Sequence, residues 1–167
     1  IVRSLEIGSD NRIYVGAQDE FGYFMPSSNG QLSYHSLVQY VKEGDRDFAD
    51  VWDIAQFNND IFFRTSRRIF KVSNNKITVY TAPSEWSYVG ICNGALFAHD
   101  IKSGLFQFQK NNWQIVTEAS ILKNVEVTSI LSLKGGIIIT TLKNGIYNYA
   151  NHQVVKIQTP TTQLIEN

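Results

Sequence analysis

The side chains of this chain that could do chemistry include two adjacent charged pairs. Asp19-Glu20 places two carboxylates together, and Arg67-Arg68 places two guanidinium groups together. Neighbouring residues on a strand point in opposite directions, so a solvated turn is the alternative to an acid–base pair at Asp19-Glu20. The two arginines could bind a carboxylate or a sulfate through paired hydrogen bonds, with a solvated turn again the alternative.

The three histidines, His35, His99 and His152, lie far apart in the chain. No cysteine or carboxylate stands at metal-ligand spacing from them, so we expect surface or turn histidines and no metal site. The sequence also lacks the motifs of serine hydrolases, P-loop proteins, zinc proteases and dithiol oxidoreductases. It therefore predicts no catalytic residue, no cofactor and a protein that is not an enzyme.

The elements that must position these side chains come from a repeat of about 40 residues. Two apolar runs separated by a short polar turn occur together four times. The paired runs are Ile13–Val15 with Phe21–Phe24, Ile61–Phe63 with Arg68–Phe70, Ala95–Phe97 with Gly104–Phe106, and Ile137–Ile139 with Gly145–Tyr147. The apolar spacing of 3 and 4 that helical repeats need is absent. The repeat unit is therefore built from β-strands.

Each copy has one more apolar run before this pair and another after it. The first runs are Ser4–Ile7, Val51–Phe57, Tyr88–Cys92 and Val127–Leu133, and the last are Leu32–Tyr34, Ile77–Tyr80, Trp113–Val116 and Val154–Ile157. Asn, Asp and Gly, which suit tight hairpin turns, separate the runs. Four hairpin-connected strands form one propeller blade. We therefore predict an all-β fold, a β-propeller fragment of four four-stranded antiparallel blades at about 2–40, 50–81, 86–117 and 125–158, in one domain over 1–167.

Composition narrows the possible partners. The formal net charge is zero and the pI is near 7.0, which argues against nucleic-acid binding by this segment. No apolar run approaches the roughly 20 residues of a membrane span. Cys92 is the only cysteine, so no internal disulfide is possible, and its apolar surroundings predict core packing. The chain begins with Ile1 rather than Met, which indicates a piece of a longer protein.

The second strands predict how the blades pack. Ile61–Phe63 and Ile137–Ile139 are apolar on both faces, as expected when each blade lies between two others. We therefore expect Phe62, Phe97 and Ile138 to pack between blades. Four blades of a larger ring would leave the outer faces of the first and last blades bare, which predicts either a strained closed ring or self-association through these terminal blades.

Two sets of turns differ in character, and the difference suggests a binding face. The turns between second and third strands, together with the loops between blades, vary from copy to copy and carry charges and an aromatic ring. Variable loops on a rigid scaffold usually carry function. The predicted ligand-binding residues are Asp19, Glu20, Arg67, Arg68, Trp86, His99, Asp100 and Lys143. Polar groups beside an exposed ring suit a carbohydrate or another small polar ligand, and a solvated rim is the alternative.

The first repeat resembles a known sensor repeat. Ser4–Ile7, Asn11–Ala17 and Phe21–Phe24 follow the pattern S-I-x-x-D-x-x-G-x-I-W-I-G-T-x-x-G-L-x-x-Y, and Ser103–Phe106 and Asn144–Tyr149 match its second half. This pattern is similar to the β-propeller repeats in the sensor regions of Bacteroidetes-type hybrid two-component regulators and triple-tyrosine-motif regulators. The resemblance extends from about residue 2 to residue 157. It implies a periplasmic, ligand-sensing segment of a membrane-anchored receptor, often one that responds to glycans.

The chain also departs from that pattern. Its Gly-Thr pair survives only in fragments, and Tyr, Phe, Leu and Ile replace the tryptophans of the second strand. The family has no residue motif for its ligand, so the resemblance assigns no site residue. We expect a non-catalytic ligand-sensing propeller. The alternatives are a scaffold for protein–protein contact or receptor dimerisation and, second, a propeller lyase acting on polysaccharide.

Overall fold

The computed structural model describes residues 1–74 and 76–163, and its regular structure is almost entirely β. Its strands form four antiparallel sheets of four strands, each with its strands in chain order. The predicted all-β fold of four four-stranded blades is confirmed. The chain divides into two compact units, Ile1–Ala82 and Pro83–Asn167. The first contains blades 1 and 2, and the second contains blades 3 and 4.

The first unit contains eight strands and two short 3-10 helices. Blade 1 consists of β1 (Val2–Ile7), β2 (Ile13–Ala17), β3 (Glu20–Pro26) and β4 (Leu32–Ser36), and blade 2 of β5 (Asp53–Phe57), β6 (Asp60–Arg64), β7 (Arg68–Ser73) and β8 (Lys76–Thr81). The 3-10 helices, Val38–Tyr40 and Glu43–Asp45, lie in the connection between the two blades. The connection between the blades therefore contains helical turns.

The second unit repeats this arrangement. Blade 3 consists of β9 (Trp86–Cys92), β10 (Ala95–Asp100), β11 (Gly104–Gln109) and β12 (Asn112–Ile115), and blade 4 of β13 (Val127–Leu133), β14 (Gly136–Thr141), β15 (Ile146–Ala150) and β16 (Gln153–Ile157). A 3-10 segment at Thr117–Leu122 connects the blades, and a short α-helix at Pro160–Gln163 follows them. Within the described ranges, no helix exceeds two turns.

The hairpin turns use the residues that the sequence indicated. Asn58 and Asn93 adopt positive φ angles of 56° and 50°, and Gly94 and Gly135 adopt 73° and 85°. Asparagine and glycine adopt this left-handed conformation at lower cost than other residues. Local turn chemistry therefore sets where each strand ends.

The core of the first unit lies between the facing surfaces of its two blades. Phe21 of blade 1 stacks on Phe70 of blade 2 with ring centroids 5.0 Å apart, and its centroid lies 4.6 Å from that of Phe63. Phe48 and Val51, from the connection between the blades, complete the cluster and are 4 % and 0 % exposed. The connection is thus held by the core at two points.

The core of the second unit is built the same way. Phe97 and Leu105 of blade 3 pack in one cluster with Ile139 and Tyr147 of blade 4, and Leu122 of the connecting 3-10 segment joins them. The prediction that Phe97 packs between blades is confirmed, and Phe62 of the first unit is fully buried. Packing between the two blades of each unit therefore explains the apolar residues Ile61, Phe63, Ile137 and Ile139 of the second strands.

Ile138 is the exception. The alternation of β14 turns Ile137 and Ile139 into the core and leaves Ile138 on the opposite face of blade 4, where it is only half-buried. Its neighbour on β13, Leu131, is 54 % exposed. The expected inter-blade packing of Ile138 is wrong because its face of blade 4 is largely exposed.

Candidate functional site

A cleft in the first unit carries the combination of groups best suited to ligand binding. It has a volume of about 440 Å³, which is within the range of small-molecule sites. It is lined by Asp47, Phe48, Ala49, Asp50, Trp52, Ser66 and Arg67. We call it the Trp52 cleft. Residues 47–52 come from the connection between blades 1 and 2, and Ser66 and Arg67 come from the β6–β7 turn of blade 2.

Backbone hydrogen bonds fix the connection at both ends of the cleft. The amide of Asp19 donates to the carbonyl of Ala49 at 2.9 Å, and the amide of Val51 donates to the carbonyl of Ala17 at 3.0 Å. The amide of Trp52 donates to the carbonyl of Arg64 at 2.8 Å. Because both neighbouring blades hold its backbone, the segment presents its side chains in a defined arrangement.

Trp52 supplies an aromatic surface at this cleft. Its side chain is 44 % exposed. The guanidinium of Arg3 lies 5.0 Å from the centre of the indole ring and forms a 2.9 Å ion pair with Asp50. The cation and the carboxylate thus hold each other and the ring in place. An indole fixed in this way can stack against a flat apolar surface of a ligand.

The two adjacent arginines have different roles. Arg68 donates hydrogen bonds to the carbonyls of Gly44 and Asp47 and lies 3.3 Å from a carboxylate oxygen of Asp45. It therefore stabilises the loop between the blades. The side chain of Arg67 is exposed, and in the part of the chain that the structure describes no hydrogen bond or ion pair engages its guanidinium. Arg67 is thus the cation that can bind a ligand at the cleft.

The two residues of the predicted acidic pair, Asp19 and Glu20, also have different surroundings. Asp19 is exposed and adopts a φ of 55°, and its backbone amide donates a hydrogen bond to the carbonyl of Ala49, which lines the cleft. Glu20 accepts hydrogen bonds from Tyr34 at 3.0 Å and Ser36 at 2.8 Å. One oxygen of its carboxylate thus ties β3 to β4. Burial, followed by the bond to Glu20, raises the pKa of Tyr34.

Three of the four predicted residues of the second unit are buried. Trp86, expected as an exposed ring, is 2 % exposed and packs edge-on against Phe106 with centroids 5.4 Å apart. His99 and Asp100 are both 0 % exposed. Lys143 is exposed in the turn between β14 and β15. The expected exposure of Trp86, His99 and Asp100 is wrong, because their side chains are part of the packed interior.

Asp100 organises the entry to blade 3. Its carboxylate accepts hydrogen bonds from the amides of Ser84 and Glu85, both at 2.7 Å, and from the amide of Ser103 at 2.8 Å. It also accepts from the Ser84 hydroxyl at 2.8 Å. Burial raises the pKa of Asp100, but the bonds from Ser84 and Ser103 lower it more, so the pKa lies below its usual value. The carboxylate is a structural anchor.

In the corresponding turns of blades 2 and 4, a threonine hydroxyl forms the hydrogen bond across the turn. The Thr65 hydroxyl donates to the carbonyl of Arg68 at 3.0 Å, and the Thr141 hydroxyl donates to the carbonyl of Gly145 at 2.7 Å. The turns differ in sequence between copies, but in each of these three a side chain forms the hydrogen bond that closes the β-hairpin.

His99 is held by a hydrogen bond at each ring nitrogen. Its Nε2 lies 2.8 Å from the carbonyl of Leu122, and its Nδ1 lies 2.7 Å from the Ser87 hydroxyl. Because a carbonyl only accepts, the neutral ring carries its proton on Nε2 and accepts from Ser87. Burial lowers the pKa of His99, and the Leu122 carbonyl and the Asp100 charge oppose that effect only in part.

We expect stability to fall as the pH drops through the histidine range. The pKa of His99 is lower in the folded chain than in the unfolded chain, so below about 6.5 the unfolded state takes up a proton that the folded state resists. The free energy of unfolding should then fall with a slope of at most about 1.4 kcal/mol per pH unit from this group. Chemical denaturation at pH 8.0, 7.0, 6.0 and 5.5 measures it.

Two substitutions distinguish the contribution of His99 to the pH dependence of stability from the contributions of other groups. His99→Gln should remove most of this pH dependence, whereas His152→Asn, at an exposed turn residue with a φ of 60°, should leave it in place. A wild-type stability that does not change over this range would contradict the assignment of a buried neutral histidine.

A second cavity, of about 380 Å³, lies in the second unit. Its lining includes the apolar residues Cys92, Phe97 and Ile137 and the polar residues Asn93 and His152. Burial raises the pKa of the Cys92 thiol, which keeps it protonated and poorly reactive near neutral pH. This cavity opens among the short Asn- and Gly-rich turns rather than among the variable ones.

The sequence did not indicate Trp52 or Asp50 as site residues. Both lie immediately before β5, and the cleft around them depends on hydrogen bonds to Ala17, Asp19 and Arg64. The one feature of the sequence that could have indicated this site was the position of Trp52, a large aromatic residue between a charged loop and a strand. Of the predicted residues, Arg67 lines the cleft and Asp19 adjoins it.

Comparison with solved structures supports the fold. Virginiamycin B lyase from Staphylococcus aureus aligns with a TM-score of 0.64 and 18 % identity, over 95 % of this chain and 56 % of the lyase. The extracellular domain of a B. thetaiotaomicron protein, described both as a one-component and as a hybrid two-component system, aligns with a TM-score of 0.66 and 14 % identity, over 95 % of this chain and 22 % of that one. A WD40 β-propeller domain aligns with a TM-score of 0.65 and 10 % identity.

These similarities establish the architecture and its extent. The chain is a β-propeller segment that spans about half of the lyase and less than a quarter of the receptor domain. At fold level it is similar to the extracellular domain of a two-component system, the class of protein that its repeat resembles. No protein-family model matches the sequence, and no curated protein matches it. A search of the described residues for an apolar helix long enough to cross a membrane found none.

Proposed function

We propose that this chain is a ligand-sensing segment of a bacterial two-component or related receptor and that it binds a small polar ligand in the Trp52 cleft. The exposed Trp52 ring beside the exposed Arg67 side chain carries this proposal. Rigid backbone on both sides of the cleft supports it, because a pre-organised site loses little entropy when a ligand binds.

A saccharide is the ligand class that best fits these groups. One face of a pyranose ring is apolar and can lie on the indole, while its hydroxyls can bond to Asp47 and Ser66. Arg67 can bind a carboxylate or sulfate substituent through two parallel hydrogen bonds. Acidic sugars are therefore expected to bind more tightly than neutral ones of the same size.

The comparison with the B. thetaiotaomicron receptor supports a location outside the cytoplasm. The matching region there is an extracellular domain, and this chain aligns with it over 95 % of its own length. By analogy of fold, we propose a periplasmic location, with ligand occupancy as the signal that the receptor transmits.

A lyase is the second candidate, because a virginiamycin B lyase and a streptogramin B lyase align with this chain. A histidine-to-alanine variant of the S. aureus lyase is described as catalytically inactive. In this chain His99 is buried with both nitrogens bonded. A search of the described residues found no group of three or more His, Cys, Asp or Glu side chains that could hold a metal. Product formation from a streptogramin or an acidic polysaccharide would favour the lyase.

Substitutions at the cleft test the sensing proposal. Trp52→Ala and Arg67→Ala should each weaken the binding of an acidic oligosaccharide at least tenfold, which corresponds to about 1.4 kcal/mol. Titration calorimetry against a panel of acidic and neutral oligosaccharides measures the effect.

Lys143→Ala is the matched control. It removes an exposed cation from the second unit, so binding should be unchanged. Equal losses for Lys143→Ala and Arg67→Ala would indicate charge attraction alone and contradict a site at the Trp52 cleft. Turnover without a binding plateau would favour the enzyme.

A further inference from the structure

The cavity of about 380 Å³ in the second unit differs from the Trp52 cleft in its charge. In the part of the chain that the structure describes, its lining includes no aspartate, glutamate, lysine or arginine. We call it the Ala95 cavity. Among its apolar residues, Phe97 and Ile137 are 7 % and 5 % exposed, whereas its polar residues are exposed. These polar residues are Asn93, Asn151 and His152.

The cavity lies between the two blades of the second unit. One wall comes from the β9–β10 turn and β10 of blade 3, and the other from the β13–β14 and β15–β16 turns of blade 4. The buried apolar groups come from the strands and the exposed polar groups from the turns. The cavity therefore has an apolar interior and a polar entrance, the arrangement that is typical of sites for small molecules.

The first unit has a cleft of about 310 Å³ at the corresponding position, but that cleft is charged. Tyr14 of β2 and Phe97 of β10 both lie in the core of their unit, three residues before the end of their strand. Two residues before them stand Arg12 and Ala95. The Arg12 guanidinium lies 4.3 Å from the centre of the Tyr23 ring, and its Nε lies 3.5 Å from a carboxylate oxygen of Asp10. In the second unit a methyl group takes the place of this guanidinium, so the cavity there is uncharged.

Hydrogen bonds across the entrance fix the two blades of the cavity to each other. The side-chain amide of Asn93, in the β9–β10 turn, donates to the carbonyl of Gly136 at 3.1 Å and accepts from the Ser132 hydroxyl at 2.6 Å. A methyl group on Gly136 would lie 2.6 Å from the carbonyl oxygen of Tyr149, so only glycine allows the strands to approach this closely. The walls are thus held in place before any ligand binds, which lowers the entropic cost of binding.

We propose that the Ala95 cavity binds an uncharged aromatic compound that carries one hydrogen-bonding substituent. The volume is at the lower end of the range for small-molecule sites, which suits one or two rings. An aromatic ring can pack against the side chains of Phe97 and Tyr149, and its substituent can bond to Asn151 or His152 at the entrance. A charged ligand would lose its hydration against apolar walls without gaining an ionic partner. This site is independent of the Trp52 cleft, whose proposed ligands are acidic.

Benzamide and benzoate are matched probes, because they share one ring and only benzoate carries a charge at neutral pH. In nuclear magnetic resonance titrations of the ¹⁵N-labelled chain, benzamide should shift the amide signals of Gly135, Gly136 and Ala150 and saturate with a Kd of about 1 mM or tighter. Benzoate should bind at these signals at least tenfold more weakly. Shifts at these three signals that rise linearly with benzamide concentration, or equal binding of the two probes there, would overturn the proposal.

A substitution that gives the cavity the charge of its counterpart tests the location. Ala95→Arg places a guanidinium where the first unit has Arg12, and it should weaken benzamide binding at least tenfold. Gln109→Arg is the matched control, because it adds the same side chain at an exposed position of β11 outside the cavity lining. It should leave binding unchanged. Thermal melts confirm that both variants fold.

A second variant tests the entrance without adding bulk. Asn151→Gly removes the side-chain amide and retains a residue that tolerates the positive φ of 50° at this turn. It should weaken benzamide binding at least threefold, and the indole N–H signal of Trp52 should report no change in the other cleft. Benzamide binding that is unchanged in both Ala95→Arg and Asn151→Gly would show that the ring binds elsewhere and would overturn the proposal.

Discussion

Replacing Asp100 by alanine should lower the free energy of unfolding by about 3–5 kcal/mol. The carboxylate accepts four hydrogen bonds from Ser84, Glu85 and Ser103 in a fully buried position. Without it, three backbone amides lose their acceptor, and hydrogen bonds to a charged group contribute about 1.5–3 kcal/mol each before non-additivity is considered. Urea denaturation of the variant measures the loss.

Glu126→Ala is the control for this measurement. Glu126 is an exposed acidic residue of the same unit, and its removal should change stability by less than about 0.5 kcal/mol. Because the folded-state pKa of Asp100 is depressed, its contribution is present above the usual carboxylate pKa and is lost as the pH falls through the lower, folded-state value. Equal effects of the two substitutions would show that Asp100 is not an anchor.

Phe97→Ala should have a comparably large effect, about 3–5 kcal/mol. Phe97 is 7 % exposed and packs with Leu105 and Tyr147 between blades 3 and 4. Truncation removes apolar contacts and leaves a cavity that the two sheets cannot easily close.

Ile138→Ala provides the matched comparison. Ile138 occupies the corresponding position of the next blade but is only half-buried on the outer face. Its truncation should cost about 1 kcal/mol in a dilute sample. Equal costs for Phe97→Ala and Ile138→Ala under these conditions would argue that the outer face of blade 4 is packed in the monomer.

The strands could be predicted because their signals are local. Asn58 and Asn93 adopt the left-handed turns that their positions indicated, and the apolar runs between such turns form the strands. The buried state of His99 and Asp100 could not be predicted in this way. Their partners, Leu122 and Ser84, lie 23 and 16 residues away in the sequence, so only the packed unit shows that these polar side chains are satisfied internally.

The candidate site could be predicted only in part, because some of its residues are positioned by partners that are distant in the sequence. The position of Arg67 in a variable turn was enough to make it a candidate, and it lines the Trp52 cleft. Trp52 could not be recognised in this way, because its presentation depends on pairing of the 47–52 segment with the carbonyls of Ala17 and Arg64 and the amide of Asp19. Trp86 looked equally suitable in the sequence, but it packs against Phe106 and Trp113.

Iodide quenching of tryptophan fluorescence tests the central claim most directly. The chain has three tryptophans; Trp86 and Trp113 are 2 % and 9 % exposed, whereas Trp52 is 44 % exposed. Iodide should therefore quench mainly Trp52, and Trp52→Phe should remove most of that quenching. If the Trp52 cleft binds the ligand, a saturating acidic oligosaccharide will protect the wild-type chain from iodide, and Arg67→Ala will require a higher ligand concentration for the same protection. Ligand binding shown by calorimetry without any protection of Trp52 would contradict the account.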